Sequence, residues 1–268
     1  MDEENKTICY TFGIGDIIIL KEFCLETNFN LKKIFINKST LSYRLNGMNY
    51  FIFIKSLVEK LFDNCEVLLV NNMKIVDGSI IRKNFKIKNL YKEYNFKFKY
   101  NNCFFNKEPY VIFHTKCRLS TDLSLKFFIS QIPKLALFFE NFKSKFKIIL
   151  MGEKEIEQNK EAIALKIKSV YNILLKLKNN NDVMDLTSNM LCSSNSIYNF
   201  ENEMHIINKA SYNITFGEGG NFVICNSFCE NNICYIGLDN YTNHMPFQYE
   251  NISLRDLDIF LNEIKEKC

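Results

Sequence analysis

The chain has no tryptophan and only three prolines. It also lacks any apolar stretch near the ~20 residues that a membrane-crossing helix needs, which excludes a spanning segment. No block of basic residues is present. The net charge of +4 comes from scattered lysines interleaved with carboxylates, so the footprint of a nucleic-acid-binding protein is missing. Paired CxxC knuckles are absent too. Cys225, Cys229 and Cys234 form CxxxCxxxxC, which is not the spacing of a structural zinc site. The N-terminus is acidic at Asp2, Glu3 and Glu4, and no cleavable apolar core follows, so no signal peptide is expected. Several of the ten cysteines sit inside apolar runs, where a thiol packs as a small hydrophobe. Free thiols in a reducing, cytoplasmic setting are expected.

What remains is an ordinary globular composition, 47% hydrophobic and 24% charged over 268 residues. That length suits one large domain or two small ones. Phe is frequent, with 25 copies. The abundance of Asn, Lys and Ile reads as AT-biased coding, so part of it carries no functional information.

Strands and helices alternate through the first part. Ile8–Phe12, Ile34–Ile36 and Glu66–Val70 read as strands, and Ile17–Glu26 and Phe51–Phe62 as helices. Such alternation implies parallel pairing through crossover units. Residues 74–107 alternate Lys with Ile, Phe and Tyr, as in Phe96-Lys97-Phe98-Lys99-Tyr100. Half-exposed edge strands or an extended connection account for this, since Lys protects sheet edges. A surface for single-stranded nucleic acid is the rival explanation.

Asn106-Lys107-Glu108-Pro109 reads as a linker, after which the pattern restarts. Strands are expected at Tyr110–His114, Phe146–Met151, Asp182–Leu186, Tyr212–Phe216 and Cys234–Gly237. Helical character is expected across Thr121–Phe142, with Pro133 breaking it or opening a second helix. Gln158–Leu177 reads as mostly helical, Phe200–Lys209 as a helix, and Phe222–Ser227 as an apolar segment. A terminal amphipathic helix spans Leu254–Lys267, capped by Ser253. The fold class is α/β, with two Rossmann-like domains, 1–105 and 106–268, facing a cleft. The terminal helix is free to pack back on the first domain.

Two glycine turns stand out. Gly13-Ile14-Gly15-Asp16 follows the first strand and precedes a helix. An Asp there sits at the sheet edge where open α/β proteins bind ligands, or it is a plain helix N-cap. Gly217-Glu218-Gly219-Gly220-Asn221 follows a late strand. Main-chain N–H groups at such a strand-to-helix turn make an anion site, although a simple chain reversal would use the same residues. It is not GxGxxG, which argues against a nicotinamide enzyme.

The order of these turns resembles the heptosyltransferase-like glycosyltransferases. The residues that carry the likeness are the early Gly15-Asp16, the mid-chain Gly152-Glu153 after a strand, the short strand Val183–Thr187 and the late glycine-rich turn. The resemblance implies the two-domain B-type glycosyltransferase fold. It implies Asp16 as general base and Gly217, Glu218, Gly219, Gly220 and Asn221 as the cradle of the donor diphosphate. Glu218 stands near an acidic position of that family and Phe222 near its late His. The shorter chain implies a trimmed acceptor domain.

Three further features fit that scheme. His114-Thr115-Lys116-Cys117-Arg118 follows the strand that opens the second half. Lys116 and Arg118 are candidates to neutralise a departing diphosphate, or are ordinary surface charges. His114 is grouped with the donor site, although a packed histidine is the commoner use of such a residue. Glu153 is a candidate for a donor ribose or sugar contact, or a helix-start carboxylate. Asp256-Leu257-Asp258 has the letters of a metal-binding Asp-x-Asp, but it falls in a first helical turn, where Asp is favoured anyway. No metal and no cofactor are expected, with a nucleotide-sugar as co-substrate.

The expected activity is metal-independent, inverting sugar transfer to a hydroxyl of a glycan or lipid-linked saccharide. A lipid-linked acceptor would bring peripheral membrane association; nucleic acid is not an expected partner. The rivals are a nucleotide-sugar epimerase or hydrolase on the same fold, and a non-catalytic partner subunit.

Overall fold

A computed structural model describes residues 7–10, 14–38, 47–71, 109–114, 122–142, 146–151, 172, 183–186, 197–216, 224–225, 233–236, 258, 262 and 266. In chain order the elements are β1 (Thr7–Tyr10), α1 (Ile14–Thr27), β2 (Lys33–Asn37), α2 (Gly47–Leu61) and β3 (Glu66–Val70). There follow β4 (Tyr110–His114), α3 (Asp122–Phe142), β5 (Lys147–Met151), β6 (Val183–Asp185), α4 (Ile197–Lys209), β7 (Tyr212–Phe216) and β8 (Ile233–Ile236). Two parallel sheets result. One has the order β1-β2-β3, the other β6-β5-β4-β7-β8.

The central strand β4 explains why the second sheet must be covered on both sides. All five of its residues, Tyr-Val-Ile-Phe-His, are buried. An unbroken apolar run of this kind belongs in a parallel sheet with helices on each face. Side chains alternate along a strand, so Val111 and Phe113 share one face while Tyr110, Ile112 and His114 share the other. The Phe113 ring meets Phe138 of α3 edge-on, centroids 6.1 Å apart. On the opposite face the Tyr110 hydroxyl donates to the Ile206 carbonyl of α4 at 2.6 Å. Thus α3 covers one side and α4 the other. The chain winds outward from β4 through β5 to β6, then returns to β7 beside β4. Crossovers of constant hand must change face at that reversal.

The first sheet carries α1 and α2. Ile17, Ile18 and Leu20 of α1 and Phe53, Ile54, Leu57 and Val58 of α2 are all buried. The end of α1 is fixed locally. Asn28 takes a left-handed φ of 52°, which Asn tolerates better than most residues. The next N–H, Phe29, reaches back to the Cys24 carbonyl at 2.9 Å. The rings of Phe23 and Phe29 close the turn at 5.8 Å. These are the six-to-one bond and apolar clasp of a Schellman cap.

The two sheets share one apolar interior. Helix α2 packs on α4, and Lys60 forms an ion pair with Glu201 across that junction. A single buried cluster runs from Ile34, Leu57 and Val67 to Ile112, Ile149, Met204, Ile207 and Ile224. The α3 side of the second sheet, with Phe113 and Phe138, lies outside that cluster.

Several boundaries differ from expectation. Helix α1 begins at Ile14 rather than Ile17, so Gly15 and Asp16 are helical. Helix α2 starts at Gly47. Pro133 neither breaks α3 nor starts a new helix; the segment is one helix of 21 residues. Leu135 and Phe138 anchor it by burial, while Ile129 and Pro133 are exposed. Water can therefore serve the Ile129 carbonyl that Pro133 leaves without a helical donor. Pro133→Ala is expected to stabilise the protein by about 2 kcal/mol. A rise in the urea midpoint at unchanged m would show it.

Residues 74–107 lie outside the described residues. So does most of Gln158–Leu177, of which Asn172 is helical. Of the terminal helix, Asp258, Asn262 and Glu266 are described; all three are helical and exposed. Asp258 forms an ion pair with Lys134 of α3. Among the described residues, no helix is long and apolar enough to cross a membrane.

Candidate functional site

Strand order defines the site. β4 and β7 are parallel neighbours, paired Val111 with Tyr212, Ile112 with Asn213 and Phe113 with Ile214. From β4 the chain proceeds to β5 on one side, and from β7 to β8 on the other. The strand order therefore reverses between β4 and β7. Ligands of open α/β sheets bind at this reversal, beyond the C-terminal strand ends.

The residues singled out from sequence map onto that edge as follows. His114 is the last residue of β4. Lys116 and Arg118 come directly after it, and Gly217, Glu218, Gly219, Gly220 and Asn221 come directly after β7; all seven lie outside the described residues. Glu153 also lies outside them, two residues beyond the end of β5, the neighbour of β4 on the other side. Gly15 and Asp16 belong to the other sheet. They are the second and third residues of α1, after β1.

The described part of the site is a buried polar cluster that sequence reasoning did not foresee. His114, Asn213, Thr215 and Cys225 are all buried, and His114 is 0% exposed. The Asn213 side-chain amide donates to the Ile207 carbonyl of α4 at 2.9 Å. Its Oδ1 lies 3.1 Å from His114 Nε2. Cys225, in a helical turn after the glycine-rich segment, places Sγ 3.3 Å from the same Nε2. Asn213 is 99 residues from His114, and Cys225 is 111 away. Only the pairing of β4 with β7 brings them together, and no local pattern reports that.

Burial pushes the His114 imidazole down to about 4, against the opposing effect of its bond with Asn213. A neutral, enclosed ring offers no positive charge to a diphosphate. Cysteine, histidine and asparagine also make up one type of thiol hydrolase. Here both Asn213 and Cys225 address one ring nitrogen. The ring cannot be oriented by one partner through one nitrogen while activating the other through its second, which is what that chemistry requires. The trio is a brace rather than a relay.

Two other described thiols are unsuited to attack. Cys24 and Cys65 are free and buried. Burial is the main cause that pushes their thiols up to about 12 and about 11, so neither supplies a thiolate at neutral pH. Among the described residues no three His, Cys, Asp or Glu side chains cluster as a metal site. Asp258, of the Asp-x-Asp letters, faces the ammonium of Lys134.

Comparison with protein-family models, curated proteins and solved structures found no match for this chain.

Proposed function

We propose that this protein is a metal-independent, inverting glycosyltransferase that uses a nucleotide-sugar donor. One observation carries the proposal. The two segments chosen from sequence for diphosphate binding, 115–118 and 217–221, follow the two adjacent strands that flank the chain reversal. Residues scattered at random over a sheet edge would have no reason to fall on that pair.

In the reaction, the oxygen of an acceptor hydroxyl forms a bond to the anomeric carbon. The bond from that carbon to the diphosphate oxygen breaks, and the nucleoside diphosphate leaves with the electron pair. Asp16 accepts the hydroxyl proton as a general base. Lys116, Arg118 and the main-chain N–H groups of 217–221 stabilise the charge that develops on the leaving group. The first sheet and its helices serve the acceptor, a glycan or lipid-linked saccharide.

Calorimetry with a panel of nucleoside diphosphates tests the donor side. At least one should bind, and Gly219→Val should weaken it about tenfold or more by placing a side chain where main chain must approach phosphate. If none of the panel binds the intact chain, the proposal fails.

A further inference from the structure

We propose that the outward face of α3 is a dimerisation surface, on which a second copy of this chain docks antiparallel about a two-fold axis near Pro133. A helix that covers a sheet normally turns polar and charged residues outward. Helix α3 does not. Ile129 is 46% exposed and Leu137 55%, Pro133 between them is exposed, and Ile132 and Ala136 are half-buried alongside. At 3.6 residues per turn, Ile129, Pro133 and Leu137 fall within about 80° of arc, on the side opposite the buried Leu135 and Phe138. They form one stripe rather than isolated apolar residues, and such a patch marks a contact surface.

The charges at the ends of the stripe select the partner. Exposed Lys126 continues it towards the N-terminal end of α3 and exposed Glu140 towards the C-terminal end. The row is symmetric about Pro133: Ile129 and Leu137 stand four residues to either side, Lys126 and Glu140 seven. A two-fold contact needs this property, because residue i of one copy meets j of the other wherever j meets i. Antiparallel docking sets Ile129 of each copy against Leu137 of the other, Lys126 against Glu140, and Pro133 against itself. Parallel docking would set like charge against like. A shallow crossing of about 20° keeps the ends in register. Lys134, on the flank of the stripe, is already neutralised by Asp258 of the terminal helix. One Lys and one Glu leave the face without net charge, which does not suit an anionic membrane. From Lys126 to Glu140 the helix runs about 21 Å, a small contact, so the dimer is expected to be reversible.

Sedimentation velocity of the full chain from about 1 to 300 µM tests the proposal. The parent should pass from monomer to dimer in that range. Leu137→Asp should weaken the dimer about tenfold or more with an unchanged melting curve. Lys126→Glu and Glu140→Lys should each weaken it as well. An equimolar mixture of those two variants should restore it, because the two reversed charges then face each other and native Lys126 faces native Glu140. A parent that stays monomeric overturns the inference, as does a dimer indifferent to Leu137→Asp, or a mixture no tighter than either variant alone. Flotation of the parent with phosphatidylcholine–phosphatidylglycerol vesicles, abolished by Leu137→Asp, would overturn it in favour of a lipid surface. None of these outcomes bears on sugar transfer, so the inference stands or falls apart from the proposed function.

Discussion

Asp16→Asn is expected to lower sugar transfer by about 100- to 10,000-fold, the range for losing a general base. Nucleoside diphosphate affinity should stay as in the parent protein. Asn keeps the size and polarity of the side chain but accepts no proton. The fold should tolerate it, since Asp16 lies in the first turn of α1. Losing a negative charge there weakens the dipole interaction by only about 0.3–1 kcal/mol. Initial rates of diphosphate release with acceptor present, alongside calorimetry and a melting curve, separate these effects. Transfer at the parent rate would remove Asp16 from the mechanism. Loss of transfer together with loss of donor binding would make it a binding residue instead.

Acidification should cost about 3 kcal/mol of stability through His114 alone, spread between pH 6.5 and about 4. The ordinary imidazole value is 6.5, and burial takes His114 down to about 4. In that window the unfolded chain binds a proton that the folded ring refuses, so stability rises with pH. The full contribution is present above 6.5, and below about 4 both states are protonated and nothing further is lost. Urea midpoints at pH 7 and pH 5 should show this for the parent. His114→Gln should show a correspondingly flatter pH dependence, whatever its stability at pH 7. An unchanged slope in that variant would mean that the ring titrates normally in the folded protein.

Much of the fold was legible in the residues, for a local reason. Tyr110–His114 and Tyr212–Phe216 are strands with the expected bounds; the first reads as a nearly continuous apolar run, and the second alternates Tyr212, Ile214 and Phe216 with Asn213 and Thr215. Helix starts were less legible. Gly15 reads as a turn residue on its own, yet here it is helical and buried. Pro133 reads as a break, and the anchoring of Leu135 and Phe138 outweighs it. Least legible was strand order, since no short pattern says that β7 lies beside β4 rather than beyond β6. That one relation assembles His114 with Asn213 and Cys225. Sequence could propose the segments after the two strands, but not the imidazole brace between them.

The contact of α2 with α4 bears on how the two sheets came to share a chain. Each would expose an oily flank if separated at the stretch from 72 to 108, because Met204 and Ile207 on one side and Leu57 and Val58 on the other belong to the same dry seam. A fragment beginning at Pro109 is therefore expected to clump rather than stand alone.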